Sequence, residues 1–259
     1  MADPRNGLTP EQAETYAAEG VVRLPGAIPL ADVEAMLAVL WRRLGARHGA
    51  WRDRPETWRI PHPAQLTADN ADFAAMGSAP VRAVADELLG SGQWKEPSRW
   101  GIPLVTLPGH YDRWDVPHRN WHLDAAATAE SPRVARFFAV LAPSRPGGGG
   151  TGYIAGSHRV IRRLATREGK TLKSGVARKL LIAREPWYAA LESRRQGEDR
   201  MARFMSETGV MDGEPVRVCE MLGEPGDVIL MDPLMLHCGA PNARDTPRMM
   251  LTEWVYGRD

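Results

Sequence analysis

Apolar positions along this chain change their period part-way, and the change divides the predicted elements into two groups. Up to about residue 95 the spacing is helical. Thr9-Pro10-Glu11-Gln12 predicts a helix start: Thr9 caps, Pro10 suits the first helical position, and Gln12 closes a capping box. Gly20 ends that helix, and VVRLPGAIP follows as a short strand and a turn. Val33, Met36, Leu37, Leu40 and Leu44 mark one face of an amphipathic helix over 31–44. Residues 45–70, rich in Arg, Trp and Pro, predict irregular structure. A further helix is predicted over 80–89, stopped by Gly90.

From about residue 100 the runs become short, apolar and β-rich: IPLVTLPG, NWHLD, RVARFFAVLAP, GTGYIAGS, GDVILMD and RMMLTEWVY, separated by Gly, Pro and Asp. Helical stretches at roughly 160–168 and 176–206 interrupt them. Helices followed by many short strands closing on themselves predict an α+β protein, a jelly-roll, cupin-like barrel with N-terminal helices and a helical insertion over about 160–210. The whole of 1–259 reads as one domain, mainly helical over 1–95 and barrel over 100–259. The glycine run at 147–150 lacks the Lys-Ser/Thr of a phosphate loop, and no helix follows directly, so it reads as a hairpin turn.

Composition narrows the class without naming a chemistry. A net charge of +1 gives no global field for nucleic acid. No apolar run approaches a membrane span, and the polar start MADPRNGLTPEQ does not resemble a signal peptide. Cys219 and Cys238 are the only cysteines, which argues against a disulfide framework and points to a reducing cytoplasm.

The chemistry centres on His122-Leu123-Asp124. Residues two apart in a strand share a face, so one imidazole and one carboxylate can aim at a single point. His237, after GDVILMDPLML, is the candidate third ligand, reached by strand, turn and strand. Two His and one carboxylate on one face of a metal form the facial triad of non-haem iron(II) oxygenases, which leaves the opposite face open. Read blandly, His122 is a hydrogen-bonded core histidine and Asp124 a turn carboxylate. The other histidines are His48, His62, His110, His118 and His158; His110 and His118 lie near enough to the motif to support it, or are loop histidines.

Arg248 lies eleven residues after His237, beyond a turn cluster of Pro241, Asn242, Asp245 and Pro247. Returning on the next strand would bring its guanidinium into the interior, where it needs an anion. The distal carboxylate of a dicarboxylate suits it; so would Asp232 or Glu253 in a structural ion pair.

NWHLD, GGGGTGYIAGSHR and GDVILMDPLMLHCGAPNARDTPR, taken in order, resemble the phytanoyl-CoA dioxygenase family, as does YAAEGVVRLPGAIPLADVEAM near the N-terminus. The resemblance spans most of the chain, with 45–100 and 160–215 unclear. It implies a double-stranded β-helix, iron(II), 2-oxoglutarate and dioxygen. It also implies hydroxylation of an unactivated carbon of a small molecule, with succinate and carbon dioxide as coproducts. By position, His122, Asp124 and His237 would be the ligands and Arg248 the 2-oxoglutarate anchor. A carboxylate at Asp124 argues against the halogenating members. Gly239 departs from the family's pattern, since many relatives carry a Ser there that helps bind the cosubstrate. Thr106 is the candidate replacement, or an ordinary strand threonine. Trp121, Phe137 and Trp254 are candidates to line the pocket. A metal-dependent cupin-like enzyme that does not use 2-oxoglutarate, and a non-catalytic binding protein on the same fold, remain open.

Residues 162–203 hold twelve Lys or Arg against five acids, a difference of +7 that leaves −6 on the rest of the chain. Such a segment over the site's mouth would favour an anionic substrate; otherwise it is a solvated basic helix.

Overall fold

The computed structural model describes residues 7–60, 66, 72–109, 111–128, 130, 132–194 and 198–258. His62 and His110 lie outside these. The N-terminal part follows the sequence rules closely. Helix α1 (Pro10–Glu19) carries the predicted reciprocal cap: Gln12 N donates to Thr9 Oγ1 at 3.2 Å and Thr9 N to Gln12 Oε1 at 2.9 Å. It stops at Gly20, whose φ of 77° suits glycine. Strand β1 (Val21–Leu24) follows, then α2 (Leu30–His48), a turn longer at its C-terminus than its apolar stripe predicts, and α3 (Ala79–Leu89).

Ten strands form two antiparallel sheets among the described residues. Further strands of the large sheet are β2 (Trp94–Lys95), β3 (Ile102–Thr106), β4 (Val134–Val140), β8 (Val228–Met231) and β10 (Arg248–Gly257). Its order is β1-β8-β4-β10-β2, with β3 also on β10. The small sheet is β6-β7-β5-β9, from β6 (Gly209–Met211), β7 (Glu214–Glu220), β5 (Thr151–Ala155) and β9 (His237–Gly239). From β7 onward the chain alternates sheets with each strand, as a jelly roll does. The sheets are not closed into a barrel: each keeps its own edge strands. The glycine run is not a hairpin turn either. It carries the chain from β4 in one sheet to β5 in the other. Close approach explains its composition, since a Cβ on Gly150 would sit 2.7 Å from the Met221 carbonyl oxygen.

Strand parity sets what each face meets. Ala135, Phe137 and Ala139 of β4, with Leu230, Leu251 and Val255, pack against Leu40 and Leu44 of α2 and Val81 and Val84 of α3. On the outer face of the small sheet, Ile154, Val216, Val218 and Cys238 pack against α4 (Ser157–Glu168), α5 (Ser174–Arg184) and α6 (Pro186–Glu192). The 176–206 stretch is therefore broken at Pro186, and its last described turn, Ala202–Ser206, is a π-helix. Between the sheets lies a smaller apolar cluster that includes Phe138, Val140, Ile229, Met231, Met235 and Met250.

The basic segment meets its own counter-charges. Arg162 pairs with Asp232, Arg163 with Glu214, Arg167 with Asp212, Lys170 and Arg184 with Glu168, Arg178 with Glu192, and Arg200 and Arg203 with Glu198. Three of those acids, Asp212, Glu214 and Asp232, lie outside 162–203, so the segment's excess charge is drawn into the contact between the helices and the small sheet. Its helices still reach the site: Ser174 Oγ accepts from Leu123 N at 2.9 Å, and Ala127 and Leu172 form an isolated antiparallel bridge.

Candidate metal centre

His122 and Asp124 do not lie in a regular strand. One antiparallel bridge, His122 to His237, holds their segment beside β9, with N to O distances of 3.0 and 3.1 Å. Asn120, at φ 64°, turns the chain into that bridge. The intended convergence is nevertheless present. One ligand atom from each of His122, Asp124 and His237 can be chosen so that all three lie within 4.8 Å of one another. His237 Nε2 is 2.9 Å from Asp124 Oδ2, and His122 Nε2 is 3.7 Å from Asp124 Oδ1.

Both imidazoles are oriented by the same device. His122 Nδ1 lies 2.7 Å from the Asn120 carbonyl oxygen and His237 Nδ1 3.0 Å from that of Met235. A carbonyl can only accept, so Nδ1 carries the proton and donates it, and Nε2 keeps its lone pair toward Asp124. Burial, then the neighbouring His237, pushes the His122 pKa down. Burial, then Arg136, takes His237 down to about 4. Two neutral imidazoles and one carboxylate, with their lone pairs converging, suit a divalent ion. His122 is at the open edge, its side chain 46% exposed, while that of His237 is 5% exposed. A cleft of about 520 Å³ opens there, lined by residues 118–122 with Arg178 and Glu192.

Arg248 enters from the opposite sheet. It starts β10 on the inner face, opposite Thr106 of β3. Its Nη2 donates to Thr151 Oγ1 at 2.7 Å and its Nε to Met250 Sδ at 3.3 Å. No carboxylate pairs with it among the described residues. Asp232 is taken by Arg162, and Glu253 accepts from the backbone N–H groups of Gly101 and Trp254. Burial alone lowers the Arg248 pKa to about 10. Thr151, which the sequence reading missed, lies directly opposite Gly239 in the β5–β9 register. A Cβ added at Gly239 would meet nothing within 4 Å. The hydroxyl expected at that position is thus one strand over, and open space stands in its place. Thr106 is buried on the same face; its carbonyl accepts from Asn242 Nδ2 at 3.1 Å.

Arg136, also missed, is on the inner face of β4. Its guanidinium pairs with Asp124 and lies 4.2 Å from the Trp254 ring centre and 4.7 Å from that of Phe138. The signal was a lone cation inside the apolar run VARFFAV. Trp254 therefore does face the gap. Phe137 does not, since it belongs to the helix-covered side. Trp121 borders the cleft but is almost fully buried, its Nε1 donating to the Pro117 carbonyl at 3.1 Å. His118 lines the cleft without joining the ligand group. His158 is tied to the Ala17 carbonyl on α1, away from the group.

No protein-family model matches the chain, and no curated protein matches it. Solved structures do. SnoK, described as a non-heme alpha ketoglutarate dependent carbocyclase from nogalamycin biosynthesis, aligns at TM-score 0.52 and 16% identity, over 97% of this chain and 84% of its own. HygX from Streptomyces hygroscopicus, with nickel and 2-oxoglutarate bound, aligns at 0.51 and 16%, over 97% and 88%. The non-heme monooxygenase ThoJ, as its nickel complex, aligns at 0.51 and 16%, over 95% and 77%. At such identities the likeness establishes the architecture, the jelly-roll fold of these enzymes.

Proposed function

We propose that this protein is an iron(II)- and 2-oxoglutarate-dependent dioxygenase that hydroxylates an aliphatic carbon of a small molecule. Its coproducts would be succinate and carbon dioxide, and it would be a single oxygenase unit of the phytanoyl-CoA dioxygenase type. The observation that carries this is Arg248, a buried guanidinium with no acid partner among the described residues, in the same inter-sheet gap as a two-His, one-carboxylate group. A cation left so would be costly unless an anionic ligand met it.

In this reading His122, Asp124 and His237 hold iron(II), and bound iron supplies dioxygen activation coupled to decarboxylation of 2-oxoglutarate. The protein's own part is geometric. Nδ1–H donation to Asn120 and Met235 keeps both imidazoles in the ligating tautomer. Arg248 receives the far carboxylate of 2-oxoglutarate, with Thr151 fixing the guanidinium and Thr106 beside it. The open space at Gly239 leaves room for that carboxylate. A HygX structure also exists with iron bound, which supports iron as the resident ion in this architecture. No helix among the described residues is long and apolar enough to cross a membrane. A cytoplasmic location is proposed on the scarcity of cysteine, not on that.

Unpaired Arg248 also separates this reading from a cupin-like enzyme without 2-oxoglutarate, which would have no use for it. The test is direct. Protein loaded with iron(II) should bind 2-oxoglutarate by calorimetry under anaerobic conditions and form succinate when air is admitted. Binding of iron without any uptake of 2-oxoglutarate would sink the proposal.

A further inference from the structure

Among the described residues, Arg136 is an inward-facing cation whose acid partner the proposed metal would also claim. Its residue is 7% exposed, and its guanidinium lies over two aromatic rings, Phe138 and Trp254. The remaining side-chain contact is Thr252 Oγ1, 3.4 Å from Nε, a neutral hydroxyl whose own proton goes to the Phe137 carbonyl. Its only acid partner among the described residues is Asp124, which is also the candidate metal ligand.

Counting charges in the gap makes the consequence plain. Asp124 and the two carboxylates of 2-oxoglutarate supply three negative charges. A divalent ion and Arg248 supply three positive ones. His122 and His237 count as neutral, since a metal would take the lone pairs of their Nε2 atoms. Arg136 is then a fourth positive charge, and a buried charge without a partner is strongly unfavourable. Sharing Asp124 with a metal leaves that carboxylate's charge largely spent.

We infer, resting on the proposed function, that Arg136 is a specificity-determining residue that receives an anionic group of the substrate, a monocarboxylate, beside the metal. The guanidinium carbon lies over the Trp254 and Phe138 rings, Nε faces Thr252, and the Nη1–Nη2 edge is the one that a metal on Asp124 would release for hydrogen bonding. A planar edge of N–H donors matches a carboxylate bidentately, better than it matches a neutral amide. Charge at the rim leans the same way: Arg119 and Arg194 help push the His118 pKa down, after burial, with Asp115 opposing.

The experiment uses full-length protein loaded with manganese(II) and saturating 2-oxoglutarate, probed with benzoate and its neutral counterpart benzamide. Paramagnetic relaxation of the probe protons reports approach to the metal and needs no turnover. Calorimetry of manganese and 2-oxoglutarate uptake is run alongside. We expect benzoate to bind at least about tenfold more tightly than benzamide, the worth of one desolvated charge-assisted hydrogen bond. Arg136→Gln should abolish that preference. Arg136→Lys, which keeps the charge and loses the planar edge, should keep only part of it. Equal relaxation of both probes in the unaltered protein overturns the inference. So does a benzoate preference that survives unchanged in either variant; a residue serving only as a partner of Asp124 would change manganese affinity and leave the preference intact. Failure of the unaltered protein to take up manganese or 2-oxoglutarate appears in the calorimetry instead, and overturns the proposed function and this inference together.

Discussion

Strands β4 and β10 lie side by side in the large sheet, and their two faces are built differently. Toward the helices they present Ala135, Phe137, Ala139, Leu251 and Val255, buried among apolar side chains, with one acid, Glu253, held by the N–H groups of Gly101 and Trp254. Toward the small sheet the same strands present Arg136, Phe138, Arg248, Met250, Thr252 and Trp254. Burial is comparable, but chemistry is not. The first face contributes stability by removing apolar area from water. The second holds cations that cost stability in the ligand-free protein and that a hydrophobic replacement would relieve. Local rules are broken where a ligand is meant to complete the structure.

The largest expected effect is on the second face. Asp124→Ala should reduce iron(II) affinity by at least about 1000-fold, beyond the 10- to 100-fold typical of groups that merely support a ligand. Equilibrium dialysis would measure it, and retained binding would remove Asp124 from the ligand set. On the first face, Phe137→Ala should cost about 3–5 kcal/mol in urea unfolding while leaving iron and 2-oxoglutarate affinity per folded molecule unchanged. A loss of affinity there would erase the contrast between the faces. Arg248→Ala should weaken 2-oxoglutarate binding by roughly 10- to 1000-fold with little change for iron. Arg248→Met should make the ligand-free protein more stable, by about 1–3 kcal/mol; a less stable Met variant would mean that Arg248 is a structural residue.

Acid gives a smaller, graded effect. His237 has a native pKa of about 4, below its ordinary value, so the unfolded chain binds the proton more readily. Stability of the metal-free protein should therefore be fully present above about pH 6.5 and be lost as pH falls toward 4. The slope from this one group is at most about 1.4 kcal/mol per pH unit. Urea midpoints that do not move over that window would contradict a buried neutral His237. The least effect is expected at the flanking hydroxyls. Thr151→Val should weaken 2-oxoglutarate binding by about 1 kcal/mol, roughly fivefold, and Thr106→Val by less. A larger loss at Thr106 would show that the second polar contact is there after all.

Much of this molecule is readable locally. The capping box at Thr9 and Gln12 and the alternation in β4 and β10 come from short-range chemistry. The pair β6 and β7 escaped, although Asp212-Gly213 with positive φ at both residues is the turn signal of a two-residue hairpin. The helical pattern predicted over 176–206 hides the change of period just beyond it.

By itself the sequence named the candidate donor set. His122, Asp124, His237 and Arg248 are candidates of the residue types that the chemistry needs, picked out by spacing together with the family resemblance. It could not determine which sheet each strand joins, because a period of two sets which side chains share a face and not what that face meets. Only the tertiary structure placed Thr151 opposite Gly239 and beneath Arg248, and set Arg136 against Asp124. It also set part of the positive charge of the helical segment against Asp212, Glu214 and Asp232, residues from strands and turns that follow it in the chain. Long-range charge pairing leaves no local pattern, so a count along the chain overstates what a surface presents.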